Sequence, residues 1–192
     1  MTYSSFIRYQ SIVGIATSMI FPFYILLLRN VGDSYAQFGW AYGLFTLAAA
    51  LSYPVIGKVA DKFGDCVLLG TYAWGMAVIL LFLPLAFEIW HVYLLQIFMG
   101  ILGAIQRNAE KTVLARLVEK QSAGKEIGTY HVWTSIAAAI AIIATGYLVD
   151  FLTIGSIFYV ASILFAISGV MVFRMKSSVP SISQNTQTDF ES

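Results

Sequence analysis

The stretch GKVADKFGDCVLLG, Gly57 to Gly70, sets two lysines and two aspartates around glycines between two long apolar runs. Charge is scarce in the chain as a whole. Of its 192 residues 59% are hydrophobic and 11% charged, whereas an ordinary soluble domain carries about a quarter charged residues. That is the composition of a membrane protein, with the lipid bilayer as its main surrounding. A net charge of +1 supplies no basic field for nucleic acid. The lone Cys66 has no internal disulfide partner, and no His/Cys cluster has metal-ligand spacing. No metal, cofactor or enzymatic set of nucleophile, base and acid is expected.

A helix rises 1.5 Å per residue, so crossing roughly 30 Å of hydrocarbon takes about 20 mostly apolar residues. Uncharged runs of that length are Tyr9 to Leu28, Ser34 to Gly57, Cys66 to Phe87, Ile127 to Val149 and Phe151 to Phe173. A further run begins at Val92 and meets its first charge at Arg107. The expected fold is therefore an all-α membrane protein with six transmembrane helices near 7–28, 35–57, 66–87, 91–117, 127–149 and 152–174. The first run is as long as a spanning helix and is read as retained, not as a cleaved signal.

The connections are short, so successive spans alternate in direction and both termini share one side. Ten basic residues, Arg8, Lys58, Lys62, Arg107, Lys111, Arg116, Lys120, Lys125, Arg174 and Lys176, fall on that side, and Arg29 falls opposite. By the positive-inside rule both termini are expected in the cytoplasm of a multi-pass cell-membrane protein, with Gly57 to Asp65 as a cytoplasmic loop. Residues 1–176 form the membrane domain. Residues 177–192, SSVPSISQNTQTDFES, read as a disordered cytoplasmic tail.

The opening stretch resembles the signature loop of the major facilitator superfamily, G-x-L-A-D-[RK]-x-G-[RK]-[RK], between the second and third helices of a six-helix half. Gly57, Ala60, Asp61, Lys62 and Gly64 match in place, Val59 stands for the leucine, and Asp65 and Cys66 replace the basic pair. RLVEKQSAGKEIGTY is similar to the family's link between fourth and fifth helices, and PFYILLLRNVG has the look of its first-helix end. The resemblance implies two inverted three-helix repeats, and an aspartate at position 61 that latches the amino-terminal end of a helix in the other half. Such an end offers unpaired N–H groups and partial positive charge. In a paired unit the matching helix start lies near Gly124 to Gly128.

The uncharged part of the fourth span, Val92 to Gln106, covers only about 22 Å, so its charged continuation approaches the membrane. Arg107, Glu110 and Lys111 stand at i, i+3 and i+4 on the face of Gly100 and Gly103, where they can pair with one another. Two roles compete: snorkelling anchors at the inner interface, or groups facing a water-filled cavity or the signature loop. Family members commonly pair the residue after the loop glycine with an acidic residue of the fourth helix. The resemblance therefore implies a charge-swapped contact here, Asp65 with Arg107 or Lys111.

Tyr24, Gln96, Gln106, Asn108 and His131 are candidate cavity-lining residues, with Tyr42, Tyr130 and Trp133 beside them. Packing is the competing role for each. His131 near Glu110 is a candidate titrating group. Ala137, Ala141 and Thr145 form a close-packing stripe. The family's Gly-Pro antiporter signature in the fifth helix is absent, and Gln96 stands nearest the fourth-helix arginine of drug-efflux relatives.

Family transporters have two six-helix halves around a central site. A single half implies a second: a missing amino-terminal half, a split partner or another copy. The degenerate loop resembles carboxyl-terminal halves. The expected function is transport of a small solute by alternating access. The alternative is a non-transporting membrane interaction or assembly protein derived from a degenerate half.

Overall fold

The computed structural model describes residues 1–32, 34–119 and 121–177, and every regular element among them is helical. The helices are α1 (Tyr3–Ile20), α2 (Tyr24–Val31), α3 (Tyr35–Phe63), α4 (Asp65–Phe82), α5 (Ile89–Leu117), α6 (Ala123–Phe151) and α7 (Ile154–Ser177). A 3₁₀ turn at Leu83–Leu85 prolongs α4. Taking α1 and α2 as one, six spans are long and apolar enough to cross a membrane. Residues 178–192, the bulk of the expected tail, lie outside the described residues.

Local chemistry accounts for the boundaries. Thr2 and Ser34 cap α1 and α3 by accepting from the N–H groups of Ser5 and Gln37. The first span is broken where a single helix was expected. Pro22 has no N–H to give Ser18, and the chain passes through a turn before α2 restarts at Tyr24. Pro54 likewise leaves the carbonyl of Ala50 without its usual donor inside α3.

The expected loop from Gly57 to Asp65 is the larger difference. Residues 57–63 are the last two turns of α3, and Gly64 alone separates α3 from α4. It sits at φ 79°, ψ 159°, a region that a side chain would strain. The alanine, lysine and aspartate of the stretch are good enough helix formers to continue the helix. One glycine then reverses the chain.

The spans pack in a pattern that repeats after three. The first (α1) packs on the fifth (α6), the second (α3) on the fourth (α5), and the third (α4) on the sixth (α7). The third also meets the fourth, and the first meets the sixth. Exchanging one with four, two with five and three with six returns the same set of neighbours. Since three crossings invert the chain's direction, the two triplets are inverted repeats, as in half of a major facilitator fold.

Close contacts obey the same exchange. A Cβ on Gly100 of α5 would stand 2.2 Å from the backbone oxygen of Phe45 in α3, and one on Gly14 of α1 would stand 4.0 Å from that of Thr134 in α6. Gly14 and Gly100 each lie eleven residues into their span, counted from Tyr3 and Ile89. Small residues let backbones approach where no hydrophobic force drives helices together. The core between them is apolar: Phe6, Tyr9, Leu69, Leu80, Phe158 and Phe165 are fully enclosed. Large apolar side chains on α3 and α6, such as Leu51, Trp133 and Ile140, face outward.

Gly100→Ala therefore cannot be accommodated without parting α3 from α5. It should cost about 1–3 kcal/mol by overpacking, read as a lower thermal midpoint in nanodiscs. Gly146→Ala, where a Cβ meets nothing, should leave the midpoint unchanged or slightly raised.

Candidate functional site

At the end of the bundle that holds the amino terminus, Asp65 opens α4, and its Oδ2 accepts from Arg116 Nη1 at 2.7 Å. The carboxylate side chain is 8% exposed and the guanidinium side chain 66%. The fourth span does supply the cation, as expected, but Arg116 takes the place assigned to Arg107 or Lys111. Depth decides this. Asp65 lies at the helix end, level with Arg116 in the last turn of α5, whereas Arg107 is nine residues, about 13 Å, deeper. A first-turn carboxylate also suits the positive end of α4.

Asp61 and Lys62 project, exposed, from the last turn of α3, with Gly57 one turn earlier and open space beside it. The start of α6 at Ala123 has open space at Gly124 and Gly128. Ser122 Oγ instead bonds Glu126 Oε1 there.

Deeper in, α1, α3, α4, α5 and α6 line a cleft of about 390 Å³ whose polar lining includes Gln10, Gln106, Arg107, Glu110, Tyr130 and His131. Its residues come to one level by helix arithmetic: Gln10 is seven residues past Tyr3, Tyr130 seven past Ala123, and Glu110 seven before Leu117. At 1.5 Å per residue that plane is about 10 Å inside the helix ends. Tyr130 OH donates to Glu110 Oε1, stacks on Phe6 with centroids 5.8 Å apart, and carries the His131 ring edge-on at 5.2 Å. Gln106 Nε2 donates to Gln10 Oε1 at 2.6 Å. Tyr9 OH donates to the Leu69 carbonyl at 3.1 Å and reaches Gln106 Oε1 at 3.4 Å.

The expected pairing along α5 is therefore absent. Among the described residues no ion pair joins Glu110 to Arg107 or Lys111. Glu110 turns to α6, Arg107 is exposed on the cleft, and Lys111 is exposed outside its lining. An i, i+3 or i+4 pair on a helix is worth only about 0.2–0.5 kcal/mol, so a phenol donor from a neighbouring helix readily displaces it.

Toward the other end the cleft continues into an apolar compartment of about 100 Å³, sharing Thr17, Phe45, Tyr72 and Gly103 with the first. Tyr24 and Gln96 line it, together with Tyr42, Met76 and Met99. Of the five residues expected to line a cavity, Gln106 and His131 stand in the inner compartment and Tyr24 and Gln96 in the outer. Asn108 does not join them. It is half-buried on another side of α5, where its carbonyl accepts from Thr112.

Gln10, Thr17 and Tyr72 escaped the sequence reading. A signal was present: Gln10, Thr17 and Tyr24 recur every seven residues, as do Gln96, Gly103 and Glu110, and each set marks one helix face. The close-packing stripe of α6 sits elsewhere, with Ala141 buried against Met19 and Ile157, and Thr145 Oγ1 bonding the Ala141 carbonyl.

The sequence profile of the Major Facilitator Superfamily matches residues 9–191. An uncharacterized MFS-type transporter, YitZ of Bacillus subtilis (strain 168), is 45% identical over 159 residues, covering 83% of this chain and 97% of that protein. The multidrug resistance protein MdtG of Proteus mirabilis (strain HI4320) is 27% identical over 191 residues, covering 94% of this chain and 47% of its own length. MdtG of Salmonella arizonae (strain ATCC BAA-731 / CDC346-86 / RSK2980) is 27% identical, over 90% of this chain and 44% of that protein. The chain thus spans about half the length of the MdtG proteins and nearly all of YitZ.

The ion pair at the helix ends is tested by charge reversal. Asp65→Arg alone should lower the thermal midpoint, since it sets two cations together. Adding Arg116→Asp should restore most of it, while adding Lys111→Asp or Arg107→Asp should not. With Arg116 mostly exposed, solvent screening keeps the coupling near 1 kcal/mol.

Proposed function

The chain belongs to the major facilitator superfamily, and on that premise we propose that it is one six-helix half of a transporter that moves a small solute by alternating access. A second half completes the cleft, and rocking of the halves exposes it to each side in turn.

The observation that carries this reading is the depth of the charges in the cleft. Helix α5 is about 43 Å long, against roughly 30 Å of hydrocarbon. Centred on its midpoint at Gly103, Arg107 lies about 6 Å and Glu110 about 10 Å from the midplane, both within the apolar slab. Arg107 is exposed there. A guanidinium facing acyl chains is costly, and intramembrane ionisable residues face a bundle interior or a water-filled cavity. A second half over the α1, α3, α5 and α6 face provides that cavity. This supports the cavity role for Arg107 and Glu110 over that of snorkelling anchors, while Lys111 stands outside the cleft.

The match to YitZ is compatible with pairing to another copy or a split partner. Coverage of half of MdtG matches one half of a longer chain. In either assembly Asp61, exposed at the end of α3, is offered to the start of α6 in the other half, where N–H groups and the helix dipole favour a carboxylate. The basic residues at the end of the bundle that holds the amino terminus support a cytoplasmic position for both termini, in the cell membrane. The multidrug resistance in the name of MdtG directs the first substrate trials to drugs.

Cysteine labelling tests the cleft. In a Cys66→Ser background, Ser135→Cys in the cleft should react with a membrane-impermeant maleimide applied from the cytoplasmic side. Ile140→Cys on the outward face should not. Labelling of neither position would overturn the water-filled cleft. Arg107→Ala and Glu110→Gln should each lower solute uptake into proteoliposomes by roughly tenfold, as expected when a charged hydrogen-bonding group is lost. Uptake unchanged in both would remove these groups from the pathway.

A further inference from the structure

The break in the first span is a place where the chain can bend. Pro22 has no N–H for the Ser18 carbonyl, and the N–H of Phe23 reaches only the Ile20 carbonyl, at 3.1 Å, one residue nearer than in an α-helix. Sharp bends in helices sit at such prolines. Beyond the break, α2 is held by the burial of Tyr24, Leu27 and Leu28 and by a hydrogen bond between the side chains of Tyr24 and Gln96 of α5. Neither Tyr24 OH nor Gln96 Oε1 has another protein partner among the described residues. Buried polar atoms need partners, so each of these two depends on the other.

The inverted repeat shows that the backbone plan does not impose the break. Counted from Tyr3 and Ile89, Gln10 matches Gln96, Ile20 matches Gln106, Pro22 matches Asn108 and Tyr24 matches Glu110. Helix α5 runs unbroken through Asn108 to Leu117, and Arg116 braces its last turn on Asp65. The matching stretch of the first span is a separate helix behind a proline. One end of the cleft is braced and the other is hinged.

Two cavities lie in succession along α2. The first is the outer compartment of about 100 Å³, lined on this side by Ile20, Phe21 and Tyr24. One turn further is a pocket of about 250 Å³ between Ile25, Leu28 and Arg29 of α2, the start of α3, and Ile89 of α5. The two share no lining residue. Between them the Tyr24 ring leans on Phe38 of α3, with centroids 6.4 Å apart.

We propose that α2 is a lid hinged at Pro22 and latched by Tyr24 on Gln96 and Phe38, and that its swing joins the outer compartment to the pocket beyond it. A neutral hydrogen bond is weak enough to break and re-form in thermal motion. A change of about 20° at the hinge carries the far end of α2, about 12 Å away, through about 4 Å. This motion lies within one half and is separate from the rocking of two halves. Its use as a gate rests on the transporter reading, but the motion itself is measurable without transport.

The test is electron–electron distance measurement on the full chain in nanodiscs, in a Cys66→Ser background, with labelled chains diluted in unlabelled ones. Spin labels at Arg29→Cys on α2 and Phe151→Cys at the end of α6 should give two distances about 4 Å apart, and labels at Phe87→Cys and Phe151→Cys should give one. Tyr24→Phe should raise the ratio of open to closed roughly fivefold, the scale of one hydrogen bond lost. Pro22→Ala, which restores the missing donor, should leave a single distance. Should Pro22→Ala fail to yield monodisperse protein, Tyr24→Phe removes a single atom and decides the matter. A single distance in both the parent and Tyr24→Phe, or a ratio unmoved by the substitutions, would overturn the lid. Distances that behave as described in a chain that moves no solute in proteoliposomes would overturn the transporter reading and leave the hinge standing.

Discussion

Polar groups inside hydrocarbon must be covered, and most of this structure follows from that constraint. Every peptide N–H and C=O within the slab needs a partner, which is why long helices joined by tight turns make up the described residues. Where a proline withdraws a donor, the chain answers locally, with a turn after Ile20 and a continuous helix past Pro54. The side chains obey the same constraint. Gln106 donates to Gln10 and Tyr130 to Glu110 across helix boundaries, while Arg107 stays exposed on the cleft.

The inverted repeat gives that open face its shape. Two triplets related by exchange place Gln10 and Gln96 at matching depths on opposite sides of the midplane, with Thr17, Phe45, Tyr72 and Gly103 between them. Divergence has then filled matching positions differently: Glu110 against Tyr24, Gln106 against Ile20. A symmetric backbone thus carries an asymmetric lining, charged at the end that holds the amino terminus and aromatic at the other.

Much of the fold was legible beforehand because membrane crossing is a matter of length and hydropathy. The six spans, their alternation and the family all follow from runs of uncharged residues and from GKVADKFGD, and the match over residues 9–191 agrees. Less of the site was legible. Periodicity told which residues share a helix face, not which neighbour that face meets, so Glu110 was paired within its own helix when its donor, Tyr130, sits on another. Asp65 was matched to the correct helix but to cations too deep in it, since register between helices depends on where the turn at Gly64 lets α4 begin.

The sequence by itself determined that the chain spans a membrane six times and which family it belongs to, because both are written in local composition and in one short motif. Only the tertiary structure decided that Asp65 meets Arg116, that Gly100 lies against the backbone of Phe45, and that Tyr24 and Gln96 share a neutral compartment. These depend on how far one helix slides along another. That offset is set by the sum of many small packing contacts, and no single stretch of residues encodes it.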